Sequence, residues 1–281
     1  MQKQFSFRFY STDKLKKTVP DLIDVLENIK KVSPKSKRER TIDTDYRVRL
    51  EQLHNESSNV VVGELLRCQS TNLPAALNSA GVREQLDTPR LGHSVVFRYD
   101  AQKGVLGIQY DVRVISPGRF LDYLLEYDSS AAYSALPVLK DGSWKKFQNG
   151  DIRKIVIGVA QPADVSVVSG ASNAATSGFK KMGAAYGAPS MVVELSMGHH
   201  KGALLKSVKE VATDLLNMVG SGAYVTKLTA VTEINDAREE VDLLKDRLVA
   251  RDTLAIDDRD PNTNYQVKIA FLTKEMKRLV P

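Results

Sequence analysis

The chain has a single cysteine in 281 residues, Cys68, so no intramolecular disulfide braces it, and its four histidines leave it poor in the usual zinc ligands. Long apolar runs are also missing. None approaches the roughly 18 to 20 residues that a membrane-spanning helix requires. The opening stretch, MQKQFSFRFYSTDK, lacks the apolar core of a signal peptide, so a soluble, cytoplasmic protein is expected. The glycines do not build a phosphate loop: the nearest stretch, Gly170 to Lys180, lacks the closing Gly-Lys-Ser/Thr, and no Gly-x-Gly-x-x-Gly pattern begins at Ser169. They suit a flexible connector or close helix packing. There is no Gly-x-Ser-x-Gly elbow for a nucleophilic serine, and Cys68 lies in an apolar, strand-like run where a buried, inert thiol is expected.

What is present is an ordinary globular balance, 42% hydrophobic and 26% charged, which excludes wholesale disorder, collagen-like repeats and coiled-coil rods. The length suits about two domains of typical size. Phe5, Phe7 and Phe9 alternate with polar residues, as in a strand with one buried face. Thr18 as an N-cap before Pro20, followed by Leu22, Ile23, Val25, Leu26 and Ile29, predicts a helix over 19–31. Tyr46, Val48 and Leu50 alternate, Val60 to Leu66 runs apolar, and Val95–Tyr99 with Val105–Tyr110 flank a turn ending in Gly104, which predicts a hairpin. Ser116-Pro117 should open a helix that turns Phe120, Leu121, Leu124 and Leu125 inward.

A domain boundary is expected between Asp128 and Asp151, where small and turn-prone residues gather. Beyond it, strands are predicted at 154–160, 191–195, 224–231 and 253–256. Helices are expected around Phe179, Met182 and Tyr186, over 204–219, on the face of Val241, Leu244 and Leu248, and at 265–279. The fold class is therefore α+β, with antiparallel sheets and packed helices in two globular parts, 1–130 and 131–281.

Charge is unevenly spread. Forty Lys and Arg against 34 Asp and Glu give +6, and residues 1–50, with 13 basic and 7 acidic residues, hold that whole excess. Lys30, Lys31, Lys35, Lys37, Arg38 and Arg40 are interrupted only by Glu39 and read as an exposed basic loop. Residues 231–260 carry ten acids against five bases. A basic patch of this kind attracts nucleic acid, an anionic membrane surface, or the acidic patch of a second copy, or else simply stays solvated. Further basic candidates are Lys145, Lys146, Arg153, Lys154, Lys180, Lys181, Lys201, Lys206 and Lys209. His199-His200-Lys201 precedes a strong helix, where backbone N–H groups favour an anion, so His199, Lys201 and Lys206 are candidate phosphate contacts beside the plainer possibility of a solvated helix start. His54 and His93 stand alone and are expected to be structural. An enzymatic alternative is a divalent-metal nuclease using Asp257, Asp258, Asp260 and Glu275, although consecutive acids beside Pro261 also fit a solvated turn.

Taken in order, several stretches resemble the RexA family of lambdoid phage exclusion proteins. They are Phe5-Ser-Phe-Arg-Phe-Tyr10, Arg90-Leu-Gly-His93 with Leu106-Gly-Ile108, and Pro117 leading to Phe120-Leu-Asp-Tyr-Leu124. Val192 to Leu195 then runs into Ser207-Val-Lys-Glu-Val-Ala-Thr-Asp-Leu215. The resemblance implies a prophage-encoded protein of phage exclusion that binds double-stranded DNA without marked sequence preference and forms homodimers. It brings no cofactor, and a small membrane effector protein is an implied partner. The resemblance also implies two hinged globular parts, but the segment 161–189 departs from the family pattern in length and polarity, so the hinge geometry does not carry over. From the residues themselves, opposed charge at 1–50 and 231–260 suits self-association, with Phe271, Leu272 and Leu279 of the closing helix as the expected apolar contact.

Overall fold

The structure, a computed structural model, describes residues 1–111, 113–162, 172–220, 225–234, 237–257 and 259–280. The chain forms two units, one of residues 1–134 with 249–281 and the other of residues 135–248. The fold is α+β, as expected. The segment 249–281, expected in the second part, belongs to the first because its strand pairs with the N-terminal one.

In the first unit, β1 (Gln2–Lys14) leads to α1 (Leu22–Lys31), a 3-10 turn (Lys35–Arg38), β2 (Arg40–Asp43), β3 (Tyr46–Ser57) and β4 (Val60–Gln69). A small ribbon of β5 (Ala76–Leu77) and β6 (Arg83–Glu84) precedes β7 (Leu91–Asp100), β8 (Val105–Gln109), α2 (Pro117–Tyr127) and β9 (Tyr133–Pro137), within which the chain passes to the second unit. The last elements of the chain, β14 (Val249–Ala255) and α6 (Pro261–Leu279), return to this unit. Its main sheet runs β14-β1-β8-β7-β4-β3-β2. The expected hairpin is β7–β8, and Gly104 at its turn takes φ +61°, a conformation that favours glycine.

Side chains alternate across this sheet, so Phe7, opposite Gln109, and Phe97, opposite Ile108, lie on different faces. The Phe7 face carries α6, whose Phe271 ring packs tilted against Phe7 at 5.3 Å. α6 approaches closely at Gly107, where a Cβ would stand 3.0 Å from the Leu272 side chain. The opposite face carries α2, with Phe97 and Phe120 edge to face at 5.0 Å. Tyr123 donates to the Arg38 carbonyl at 2.8 Å and accepts from Leu50 N–H at 3.0 Å, which ties α2 to the 3-10 turn and to β3.

Four expectations are corrected. The first helix starts at Leu22 rather than 19, because Pro20 holds Val19 out of the helical region, and Thr18 does not cap it. On α2 the inward residues are Phe120, Tyr123 and Leu124, while Leu125 is exposed. Ser116 caps this helix as expected, accepting from Arg119 N–H. Residues 241–248 are not helical: Asp242 ends a strand, and its carboxylate accepts the N–H groups of Leu244 and Lys245, turning the chain instead. Of the expected apolar contact, Leu272 is fully buried and so closed to a second copy, while Phe271, set against Phe7, and Leu279 are half-buried.

The second unit contains α3 (Asp141–Asn149), β10 (Asp151–Ala160), α4 (Ser172–Tyr186), β11 (Ser190–Ser196), α5 (Ser207–Gly220), β12 (Val225–Ile234) and β13 (Ala237–Asp242). Its antiparallel sheet has the order β11-β10-β12-β13. Ile155, Ile157 and Val159 of β10 share a core with Phe147, Phe179, Leu215 and Leu228. Phe179 faces inward as expected, whereas Met182 and Tyr186 are exposed.

Candidate nucleic-acid interface

Three clefts adjoin in the first unit. One of about 590 Å³ is lined by Lys30, Lys35, Arg38, Arg49, Glu51, His54 and Glu64 among others. A second, of about 510 Å³, shares Gly92 and Ser94 with it and brings in Lys3, Arg67, His93, Gln109, Asp111, Arg113 and Lys268. A third, of about 410 Å³, shares Lys3, Asp111 and Arg113 with the second and adds Arg251. Nine basic side chains and three acidic ones line the three.

The second cleft exists because the sheet splits. The last partners of β7 and β8 are Phe97 and Ile108, and β8 ends at Gln109, so residues 91–96 of β7 have no neighbouring strand on that side among the described residues. The start of β1 and the start of β7 flank a wedge, and α6 supplies Lys268 to it.

Buried charge gives the clefts their electrostatics. Glu64 is 4% exposed, and its carboxylate accepts from Gln52 Nε2 at 3.2 Å and from the Ser94 hydroxyl. Burial raises its pKa above the ordinary carboxylate value, and the charge of Lys268 opposes that shift. Lys268 is 7% exposed; burial lowers its pKa, Glu64 opposes the shift and Lys3 adds to it. The Tyr265 hydroxyl, Gln109 Oε1 and Arg67 Nε are buried without a hydrogen-bond partner. Ionisable groups held off their ordinary values in a cleft mark candidate functional sites.

The sequence profile of a family described as a family of unknown function, DUF6731, matches residues 1–278. The chain belongs to the DUF6731 family. None of the curated proteins matches this DUF6731 chain. The family description carries no activity, so the function of this member is argued from its own clefts.

The DUF6731 fold divides the basic residues singled out from sequence. Lys30, Lys35 and Arg38 line the first cleft. The stretch from 30 to 40 is less a free loop than expected. Lys35 pairs with Glu51 at 2.6 Å, Arg38 donates to the carbonyls of Val32 and Lys30, and Arg40 stacks on Tyr127 at 4.2 Å. Lys31 reaches Asn28 at 3.4 Å, and Lys37 is exposed. Lys145, Lys146, Lys180, Lys181, His199, Lys201 and Lys206 all lie in the second unit. Lys146 pairs with Glu239, and the other six are exposed. Helix α5 begins only at Ser207, so His199 and Lys201 sit in the preceding turns rather than at a helix start. Arg153, Lys154 and Lys209 are engaged internally: Arg153 holds the carbonyls of His200 and Gly202, Lys154 pairs with Glu194 at 2.9 Å, and Lys209 donates to the Gln148 carbonyl at 2.7 Å.

The carboxylates proposed for a metal do not converge. Asp260 caps α6 through Asn262 and Thr263, while Glu275 pairs with Arg278 fifteen residues further on, roughly 22 Å along a helix. Asp257 accepts from Arg259 N–H, and Asp258 lies outside the described residues. Among the described residues no group of three or more His, Cys, Asp or Glu side chains is placed to hold a metal ion, and no helix is long and apolar enough to cross a membrane. Cys68 is buried, and burial pushes its thiol up to about 11.

Lys3, Arg67, Arg113, Arg251 and Lys268 were missed. They stand singly on separate stretches of chain. Lys268 alone carried a local signal, a lysine at the inward-facing spacing of Tyr265, Ile269, Leu272 and Met276.

Proposed function

We propose that this DUF6731 protein binds double-stranded DNA without marked sequence preference, through the cationic clefts of its first unit. What supports this most is the lining itself, with nine basic side chains against three acidic ones across three adjoining clefts. Arg and Lys presented in this way neutralise backbone phosphates and release counterions, a contribution that does not depend on base sequence. The setting, a phage exclusion system with a small membrane effector, is carried by the RexA resemblance. Homodimer formation is supported by the opposed charges of residues 1–50 and 231–260, which would mainly orient two copies.

The test is fluorescence anisotropy with a labelled duplex at about 50 and about 200 mM salt. Micromolar or tighter binding at the lower salt is expected, with the logarithm of affinity falling by about 0.9 per decade of salt for each phosphate neutralised. No binding at the lower salt would overturn the proposal.

A further inference from the structure

The wedge where the sheet splits has a chemistry of its own. β1 and β7 stand on either side of β8, two strand spacings or roughly 9 to 10 Å apart. Past Gln109 no described strand fills that interval. Lys268 enters it from α6. Lys268 is 7% exposed; its ammonium makes no direct hydrogen bond or ion pair among the described residues, feels the charge of Glu64, and lies 5.1 Å from the centre of the Phe5 ring. Desolvating an ammonium is costly, so a lysine this buried normally has a partner. Lys3 sets a second unpartnered ammonium 5.8 Å from the same ring. Gln109 adds a side-chain oxygen that no donor reaches, whereas Arg67, opposite His93 and so on the Phe97 face, is engaged by the Arg113 carbonyl and the Tyr46 ring. The one acid lining the wedge, Asp111, is held by Arg113 at 3.3 Å.

The geometry points to a binding site for a phosphate monoester in this wedge, its terminal dianion set between Lys3 and Lys268 and a neighbouring hydroxyl of the ligand donating to Gln109. A dianion matches the two ammonium groups, each able to supply a charge-assisted hydrogen bond. A phosphodiester carries one charge and must continue in both directions, whereas the wedge narrows onto the end of β8. The volume, about 510 Å³, falls in the range of small-ligand pockets. A free nucleotide and the phosphorylated end of a DNA strand both supply this chemistry. The site deepens the DNA-binding proposal, since the wedge is one of the same clefts, but its own test is separate.

Full-length protein is titrated calorimetrically with inorganic phosphate and with a nucleoside 5′-monophosphate, and duplexes with 5′-phosphate or 5′-hydroxyl ends are compared by anisotropy. Monophosphate binding is expected, weakened roughly tenfold in Lys3→Ala, the loss of one charge-assisted contact, and more in Lys268→Met. Lys3 is exposed, so its variant reports on the site even if Lys268→Met fails to fold. Tighter binding of the 5′-phosphorylated duplex assigns the site to strand ends; nucleotide binding with equal duplex affinities assigns it to free nucleotide. If no probe shows a monophosphate contribution, or Lys3→Ala leaves that contribution unchanged, the site is overturned. Duplex binding that persists in that case leaves the DNA proposal standing, and monophosphate binding without duplex binding removes the DNA proposal alone.

Discussion

Lys3 and Lys268, from opposite ends of the chain, hold their ammonium groups against one ring, that of Phe5, at 5.8 and 5.1 Å. The ring face favours each cation, but the two repel one another, and Lys3 is among the groups that lower the pKa of Lys268. A fold selected for stability alone would place an apolar side chain at position 268, which packs on the core side of α6. Retaining a charge there is the pattern of a site that trades stability for binding.

Glu64 supplies a pH test of the same compromise. Its pKa is raised in the folded protein, so the native state keeps a proton that the unfolded chain has lost. Stability from this group is full below its ordinary value of 4.5 and is lost as pH rises through the raised folded value. Glu64→Gln should therefore melt higher than the parent at about pH 7, and the difference should shrink as pH falls toward about 4. Calorimetric melts at the two pH values check this; a variant that melts lower at neutral pH contradicts it.

Gly63 in β4 is required by space. A Cβ there would lie 2.5 Å from the Phe97 ring and 2.7 Å from the Gln52 carbonyl oxygen, and the second is backbone that cannot swing aside. Gly63→Ala should cost about 1 to 3 kcal/mol or more, read as a fall in the urea midpoint. An unchanged midpoint would contradict the packing described for β3, β4 and β7.

The second unit begins and ends side by side, since Leu139 bridges to Arg247 and Leu248 N–H donates to the Val138 carbonyl. With its own core around Ile155, Phe179 and Leu215, a fragment of residues 135–248 should fold and melt cooperatively. A broad, non-cooperative melt by circular dichroism would show that this unit depends on the rest of the chain.

The elements legible in the sequence were those fixed by local chemistry. Alternating Phe5, Phe7 and Phe9 specify a strand with one buried face, and Ser116-Pro117 specifies a helix start whatever the rest of the chain does. Residues 241–248 misled because Val241 and Leu244 share a helical spacing, while the Asp242 carboxylate captures the next amides and turns the chain. The basic run at 30–40 was visible as composition, but nothing local shows that Arg38 and Arg40 spend their guanidinium groups on neighbouring carbonyls. The wedge was illegible for a different reason. Lys3, Arg67, Gln109, Arg113 and Lys268 meet only through strand order and the early end of β8, and those are tertiary facts.

DNA binding through the clefts is tested most directly by measuring duplex affinity across salt for three proteins: the parent, a Lys35→Ala and Arg113→Ala double variant, and a Lys180→Ala and Lys181→Ala double variant. Lys35 and Arg113 line the clefts and make only exposed ion pairs, so their loss should spare the fold. The first variant should bind more weakly and lose about 0.9 from the salt slope for each phosphate contact removed. The second should keep the parent's affinity and slope. Parental affinity and slope in the cleft variant, with the loss falling on the Lys180 and Lys181 variant instead, would contradict the assignment of the DNA interface to the first unit.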